Sequence, residues 1–257
     1  MQFQIAVHTD VGIRKSTNQD SLAVREAETP AGQVLMAVLC DGMGGLAKGE
    51  LASATIIRAF TAWFEEELPL LLSRADRWEE IRYQWDRKVK ELNQTILEYG
   101  WGHNIQLGST LTVLLFLENG EYLISHVGDC RAYQMEKGML VQLTTDQTLV
   151  ASEVRLGRLT PEQAAVDPRR NILLQCVGAS KVVEPEYISG KGQQGQRYLL
   201  CSDGFRHEIT PEEILTWCSA ENSPGEESMQ KGLAYLTELC KSRGETDNIS
   251  AILITLG

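Results

Sequence analysis

The sequence predicts an α+β protein in which two antiparallel sheets pack together and helices lie outside. Three observations predict it. Strand-like apolar runs follow one another across short turns, which favours antiparallel pairing. Helical periodicities come in blocks rather than between every pair of strands, which favours covering layers. No Pro/Ser-rich linker, fixed-period repeat or low-complexity tract divides the 257 residues, so a single domain over 1–257 is expected.

FQIAVHT, SLAV and VLMAVLC, within residues 3–40, read as a first group of strands. Two helices follow. Ile56, Ala59, Phe60 and Trp63 mark the first. Along the second, Trp78, Ile81, Trp85, Val89, Leu92, Ile96 and Tyr99 recur at steps of three and four residues. A second group of strands comprises STLTVLLFLE, EYLISHV, RAYQM and MLVQL, then VVEPEYIS, RYLLC and ISAILI. Residues 144–178 interrupt it with two short helical pieces, TLVASEVRLG and the start at Thr160-Pro161-Glu162-Gln163, and read as a surface flap. A last helix pair is signalled by the capping box Thr210-Pro211-Glu212-Glu213 and by Met229, Leu233, Leu236 and Cys240.

A formal net charge of −11 argues against a nucleic-acid groove or an anionic membrane as partner. No basic-then-apolar leader opens the chain, and nowhere do about 18 apolar residues run together. The six cysteines have no Cys-x-x-Cys spacing and read as reduced, packed thiols. A cytoplasmic protein is the expectation.

The chemistry lies in the aspartates. Of ten, Asp20, Asp41, Asp129, Asp203 and Asp247 stand where an apolar strand begins or ends, whereas Asp10, Asp76, Asp86, Asp146 and Asp167 read as surface or turn residues. A carboxylate leaving water is costly unless it is paired or bound to a cation. One Asp-Gly alone is a turn; recurrence at strand ends points to a shared ion. Oxygen ligands without a His or Cys cluster select Mg²⁺ or Mn²⁺ over Zn²⁺. Gly follows Asp41 and Asp203, where a missing side chain lets backbone or ligand approach closely. GMGGLA also fits a loose G-x-G-x-x-A dinucleotide loop, but a second long helix follows where a parallel strand is required.

In order along the chain, GIRKSTNQDS, VLCDGMGG, GSTLTVLLF, HVGDCRAY, LTTDQTLV with the following DPRRN, LLCSDGF and TDNISAILI resemble the metal-dependent serine/threonine protein phosphatases of type 2C, especially their compact bacterial members. The resemblance implies a four-layer αββα sandwich with a binuclear Mn²⁺ or Mg²⁺ centre at one edge. It implies that Asp41 bridges both ions with the Gly42 carbonyl as a further ligand. Asp203 and Asp247 would hold one ion, Asp20 would orient waters on the other, and Asp129 would help hold a weaker third. Water would attack phosphorus in line, without a covalent phosphoenzyme. The implied partners are phosphorylated proteins, the substrates of a cognate Ser/Thr kinase, with neither nucleic acid nor membrane; a monomer is expected. The alternative is a catalytically silent relative acting as a binding protein.

Three departures from the family pattern stand out. Lys15, with Arg14 beside it, occupies the place of a phosphate-contacting Arg, and Lys lacks the bidentate fork. Met43 stands where animal members carry a His. His207 stands where many bacterial relatives carry an Asp serving the third ion, and reads equally as a surface residue or an altered ligand. Asn248 is expected to fix Asp247 by a hydrogen bond.

Overall fold

The computed structural model describes residues 2–43 and 48–257. Its strands are β1 (Phe3–Asp10), β2 (Asp20–Thr29), β3 (Gly32–Met43), β4 (Gly108–Ser109), β5 (Leu111–Phe116), β6 (Glu121–Val127), β7 (Arg131–Glu136), β8 (Met139–Gln142), β9 (Glu186–Lys191), β10 (Arg197–Cys201) and β11 (Ile249–Leu256). Its helices are α1 (Gly49–Glu66), α2 (Leu68–Leu71), α3 (Arg77–His103), α4 (Leu149–Arg155), α5 (Pro161–Val166), α6 (Asp203–Arg206), α7 (Pro211–Cys218) and α8 (Glu226–Ser242). One sheet runs β1-β11-β10-β7-β8 and the other β2-β3-β5-β6-β9, with β4 paired to β3. Every pairing is antiparallel.

The four layers follow from strand parity. Leu35, Ala37 and Leu39 of β3 point inward to meet Leu200, Ile252 and Ile254 of the facing sheet. The alternate residues Val34, Met36, Val38 and Cys40 point outward under Ile56, Phe60, Trp63 and Trp85 of α1 and α3. On the far side, Leu199, Cys201 and Leu253 pack under Met229, Leu233 and Leu236 of α8. With both faces covered, these antiparallel strands read as unbroken apolar runs, the pattern usually associated with parallel sheets. All six cysteines are free and buried.

The αββα expectation is met, with differences of detail. The two groups of strand-like runs are not the two sheets, because β1 pairs with β11, and β3 pairs with β5. The strand read from VVEPEYIS starts only at Glu186, after Pro185, which has no N–H for a ladder. α2 and α6, four residues each, are too short to show a period. Both predicted capping boxes, at Thr160 and Thr210, are present.

Within residues 144–178, α4 and α5 lie outside the sheets, and α5 buries no residue. The segment is tied at both ends. Gln147 N–H donates to Gly128 O at 2.8 Å, and Val177 N–H donates to Ser109 O at 2.9 Å. Among the described residues no helix is long and apolar enough to cross a membrane.

Candidate metal centre

Asp20 and Asp41 face each other directly in the β2–β3 register. Both follow the inward parity of their strands, so their carboxylates share the face between the sheets. Opposed like charges destabilise a sheet, so this pair is relieved only by a proton or by a cation. Asp41 is held at its backbone: its N–H donates to Thr110 Oγ1 at 2.8 Å, and its carbonyl accepts from Ser109 Oγ at 2.9 Å and Thr110 N–H at 2.9 Å. Gly42 must be glycine, since a Cβ there would lie 2.3 Å from Gly49 O and 2.5 Å from Gln19 O. The approach of α1 to this strand end depends on that missing side chain.

From the other sheet come Asp203, at the start of α6, and Asp247, just before β11. Gly204 lets these two segments touch, because a Cβ on it would stand 2.2 Å from Asn248 O. Asp41, Gly42, Met43, Asp129, Asp203 and Asp247 line one cavity of about 350 Å³ together with Lys15, and Asn171 and Leu173 of the 144–178 segment form its outer wall. Asp20 is buried behind it. A larger cavity of about 850 Å³ lies on the far side of Arg206 and Asp146 and contains none of these aspartates.

Burial, reinforced by Asp203 and Asp247, pushes the Asp20 carboxyl up to about 7. Burial, followed by Asp20 and Asp203, drives Asp41 well above the carboxylate range. Neither Asp20 oxygen nor Asp203 Oδ1 has a hydrogen-bond partner. The Ser250 and Ser202 hydroxyls lie beside Asp20 and offset part of the effect of burial, while Ser202 Oγ accepts the Ser250 N–H and Ser250 Oγ pairs with Thr9. Among the described residues no three His, Cys, Asp or Glu side chains close into a compact ligand cluster; mutually repelling carboxylates stand apart. Orphaned buried oxygens, an all-oxygen donor set and raised proton affinity together fit hard divalent cations.

Lys15 Nζ lies 3.0 Å from Asp247 Oδ1. Burial opposes its charge, yet Asp247, Asp41 and Asp203 raise its pKa. Arg14 is exposed and does not line the cavity.

Two expectations are corrected. The Asn248 side chain does not hold the Asp247 carboxylate; that contact comes from the Asn248 backbone N–H at 2.8 Å. Its amide instead pins the loop before β2, accepting from Gln19 N–H at 2.9 Å and donating to Val11 O at 2.9 Å. Asp146, read as a surface or turn residue, forms a two-pronged pair with Arg131, at 2.8 and 2.7 Å.

His207 is not a surface residue: its side chain is 14% exposed and sits between Asp203 Oδ2 at 3.8 Å and Glu245 Oε2 at 3.5 Å. Glu245 escaped sequence reasoning. Its Oε1 accepts the N–H groups of Thr246 and Asp247 at 2.6 and 2.8 Å, setting the turn that presents Asp247. Its place two residues before a strand-end Asp was the only signal. Gly44 and Gly45 of VLCDGMGG, and most of the GMGGLA loop, lie outside the described residues.

Comparison with known proteins agrees with this geometry. A profile described as protein phosphatase 2C matches residues 12–238. The serine/threonine protein phosphatase PstP of Mycobacterium tuberculosis is 32% identical over 253 residues, which is 98% of this chain and 44% of PstP, so the chain spans less than half of that relative. The protein phosphatase PhpP of Streptococcus pneumoniae is 29% identical over 256 residues, covering 99% of this chain and 98% of PhpP. The S. agalactiae serine/threonine phosphatase structure matches with a TM-score of 0.85 at 29% identity, over all of both chains. The catalytic domain of PstP in complex with two manganese ions matches with a TM-score of 0.79 at 29% identity, over 98% of this chain and 97% of that one. The chain belongs to the protein phosphatase 2C family.

Proposed function

We propose that this chain hydrolyses phosphoserine and phosphothreonine in proteins, using two Mn²⁺ or Mg²⁺ ions held by Asp20, Asp41, the Gly42 carbonyl, Asp203 and Asp247. The observation that carries the reading is the opposed Asp20–Asp41 pair, completed from the second sheet by Asp203 and Asp247 around one small cavity. When bound, the ions supply Lewis-acid stabilisation of phosphoryl charge and activation of water at neutral pH.

The residues of the chain do the rest. Asp20 and Asp41 hold their positions through the sheet ladder and therefore need little reorganisation. Lys15, at the mouth, offers an ammonium to a phosphoryl oxygen while Asp247 steadies it. Met43 lines the cavity and carries no proton to give to the leaving alkoxide. Among the described residues neither Cys nor Ser lines the cavity, and the Thr110 hydroxyl that does is engaged by the Asp41 N–H, which supports direct attack by water. A silent binding role would not call for four mutually repelling carboxylates.

The substrates fitting this site are phosphoproteins made by a Ser/Thr kinase. A monomer in the reducing cytoplasm is consistent with a cavity lined by one chain and with six free, buried thiols. The test is hydrolysis of a phosphothreonine peptide by metal-stripped protein. Activity should be absent, return with Mn²⁺ or Mg²⁺, and vanish again with chelator; full activity without metal contradicts the reading.

A further inference from the structure

Asp129 lines the metal cavity but also faces a cation of the chain itself. Arg206 ends α6, the turn that begins with Asp203, and its side chain is only 10% exposed. Its Nη2 lies 3.5 Å from Asp129 Oδ2, donates to the Asp129 carbonyl at 3.1 Å, and stands 3.6 Å from Asp146 Oδ2. Asp146 is already gripped by Arg131 and accepts a further hydrogen bond from Gln142 at 3.0 Å. Two carboxyl groups and two guanidiniums thus close a network at the wall of the site.

We infer that the Arg206 guanidinium is the built-in cation for Asp129, so that the centre takes two divalent ions and the position beside Asp129 is closed to a third. The inference rests on the two-ion reading above. A dication at Asp129 would have Asp129 and a share of Asp203, already called on by the two-ion centre, and would face an adjacent fixed positive charge in a nearly water-free place. Seating it would require Arg206 to leave, stranding a buried guanidinium beside Asp146 alone, and breaking a buried pair is strongly unfavourable. The neighbouring position offers no replacement carboxylate, because His207 occupies it between Asp203 and Glu245. Asp20, Asp41, Asp203 and Asp247 together match the charge of two dications and leave Lys15 for the phosphate.

The test is anomalous diffraction from crystals equilibrated with saturating Mn²⁺, paired with calorimetric Mn²⁺ titration of wild type, Arg206→Lys and Arg206→Met. Wild type and Arg206→Lys should show ions at Asp41, Asp203 and Asp247 and none at Asp129. Arg206→Met should gain a third ion there and an additional binding event. A third ion ligated by Asp129 in wild type overturns the inference while leaving the two-ion reading intact, and so does a folded Arg206→Met that still binds two. If Arg206→Met does not fold, the wild-type map decides alone. Absence of any ion at Asp41, Asp203 and Asp247 overturns the two-ion reading, and the inference with it.

Discussion

Lys15 Nζ and Asp247 Oδ1 stand 3.0 Å apart, so the cation at the mouth of the cavity and a proposed metal ligand lean on each other. Lys15→Ala should therefore act twice. It should lower kcat/KM by about 1–3 kcal/mol, the range for a lost hydrogen bond to a charged group. It should also tighten Mn²⁺ binding, because Asp247 loses a competing partner. Arg14→Ala should leave both unchanged. Steady-state kinetics and metal titration of the two variants check this, and a silent Lys15→Ala with a damaged Arg14→Ala would place the phosphate contact one residue earlier.

The unpartnered oxygens of Asp20 predict opposite effects on stability and function. Asp20→Asn in metal-free protein should raise stability by roughly 1–3 kcal/mol, since a buried unsatisfied charge is removed. Turnover and Mn²⁺ affinity should fall. Denaturant melts with and without metal measure the first, and a stability loss in metal-free Asp20→Asn would contradict the electrostatic account.

Asp20 and Asp129 are each pushed to about 7, by burial first and neighbouring carboxylates second. Unfolded carboxyls titrate near about 3.9. Between these values the metal-free folded protein holds protons that the unfolded chain has released, so these groups make stability fall as pH rises through the window. Divalent ions displace the proton on Asp20, and the stabilisation they bring should grow with pH and level off above about 7. His126 works in the other direction. Burial lowers its pKa and its ring is locked between Thr112 and Gly128, so its contribution is lost as pH falls below about 6.5. The readout is therefore the difference in melting temperature with and without Mn²⁺; a difference that shrinks with rising pH would contradict the assignment.

Gly42→Ala should destabilise by at least about 1–3 kcal/mol, because its Cβ would meet backbone atoms of Gln19 and Gly49 that cannot swing away. Chemical denaturation measures it, and an unchanged midpoint would mean that α1 is free to withdraw from the strand end.

How much of this was legible in the sequence depends on range. An apolar run that stops at Asp41 or Asp203 shows both strand and site in one stretch, because burial and charge meet within a few residues. Pairing was not legible in the same way: β1 finds β11 at the other end of the chain, and nothing local to FQIAVHT specifies that partner. Asp146 looked like a turn residue because its partners, Arg131 and Arg206, arrive from β7 and α6. The two readings of His207, surface residue or altered ligand, could not be separated in the sequence because Glu245, which encloses it, comes from the far side of α8. Asn248 was assigned to its neighbour by adjacency, whereas its amide reaches back to the loop before β2.

The most direct test of the two-ion account is a single titration. Mn²⁺ is added to metal-stripped protein at concentrations well above its affinity while phosphate release from a phosphothreonine peptide is followed. Activity should stay near zero until metal is present and reach its plateau at two equivalents, with Asp41→Asn flat throughout. A plateau at one equivalent, or an Asp41→Asn protein that turns over normally, would contradict the account.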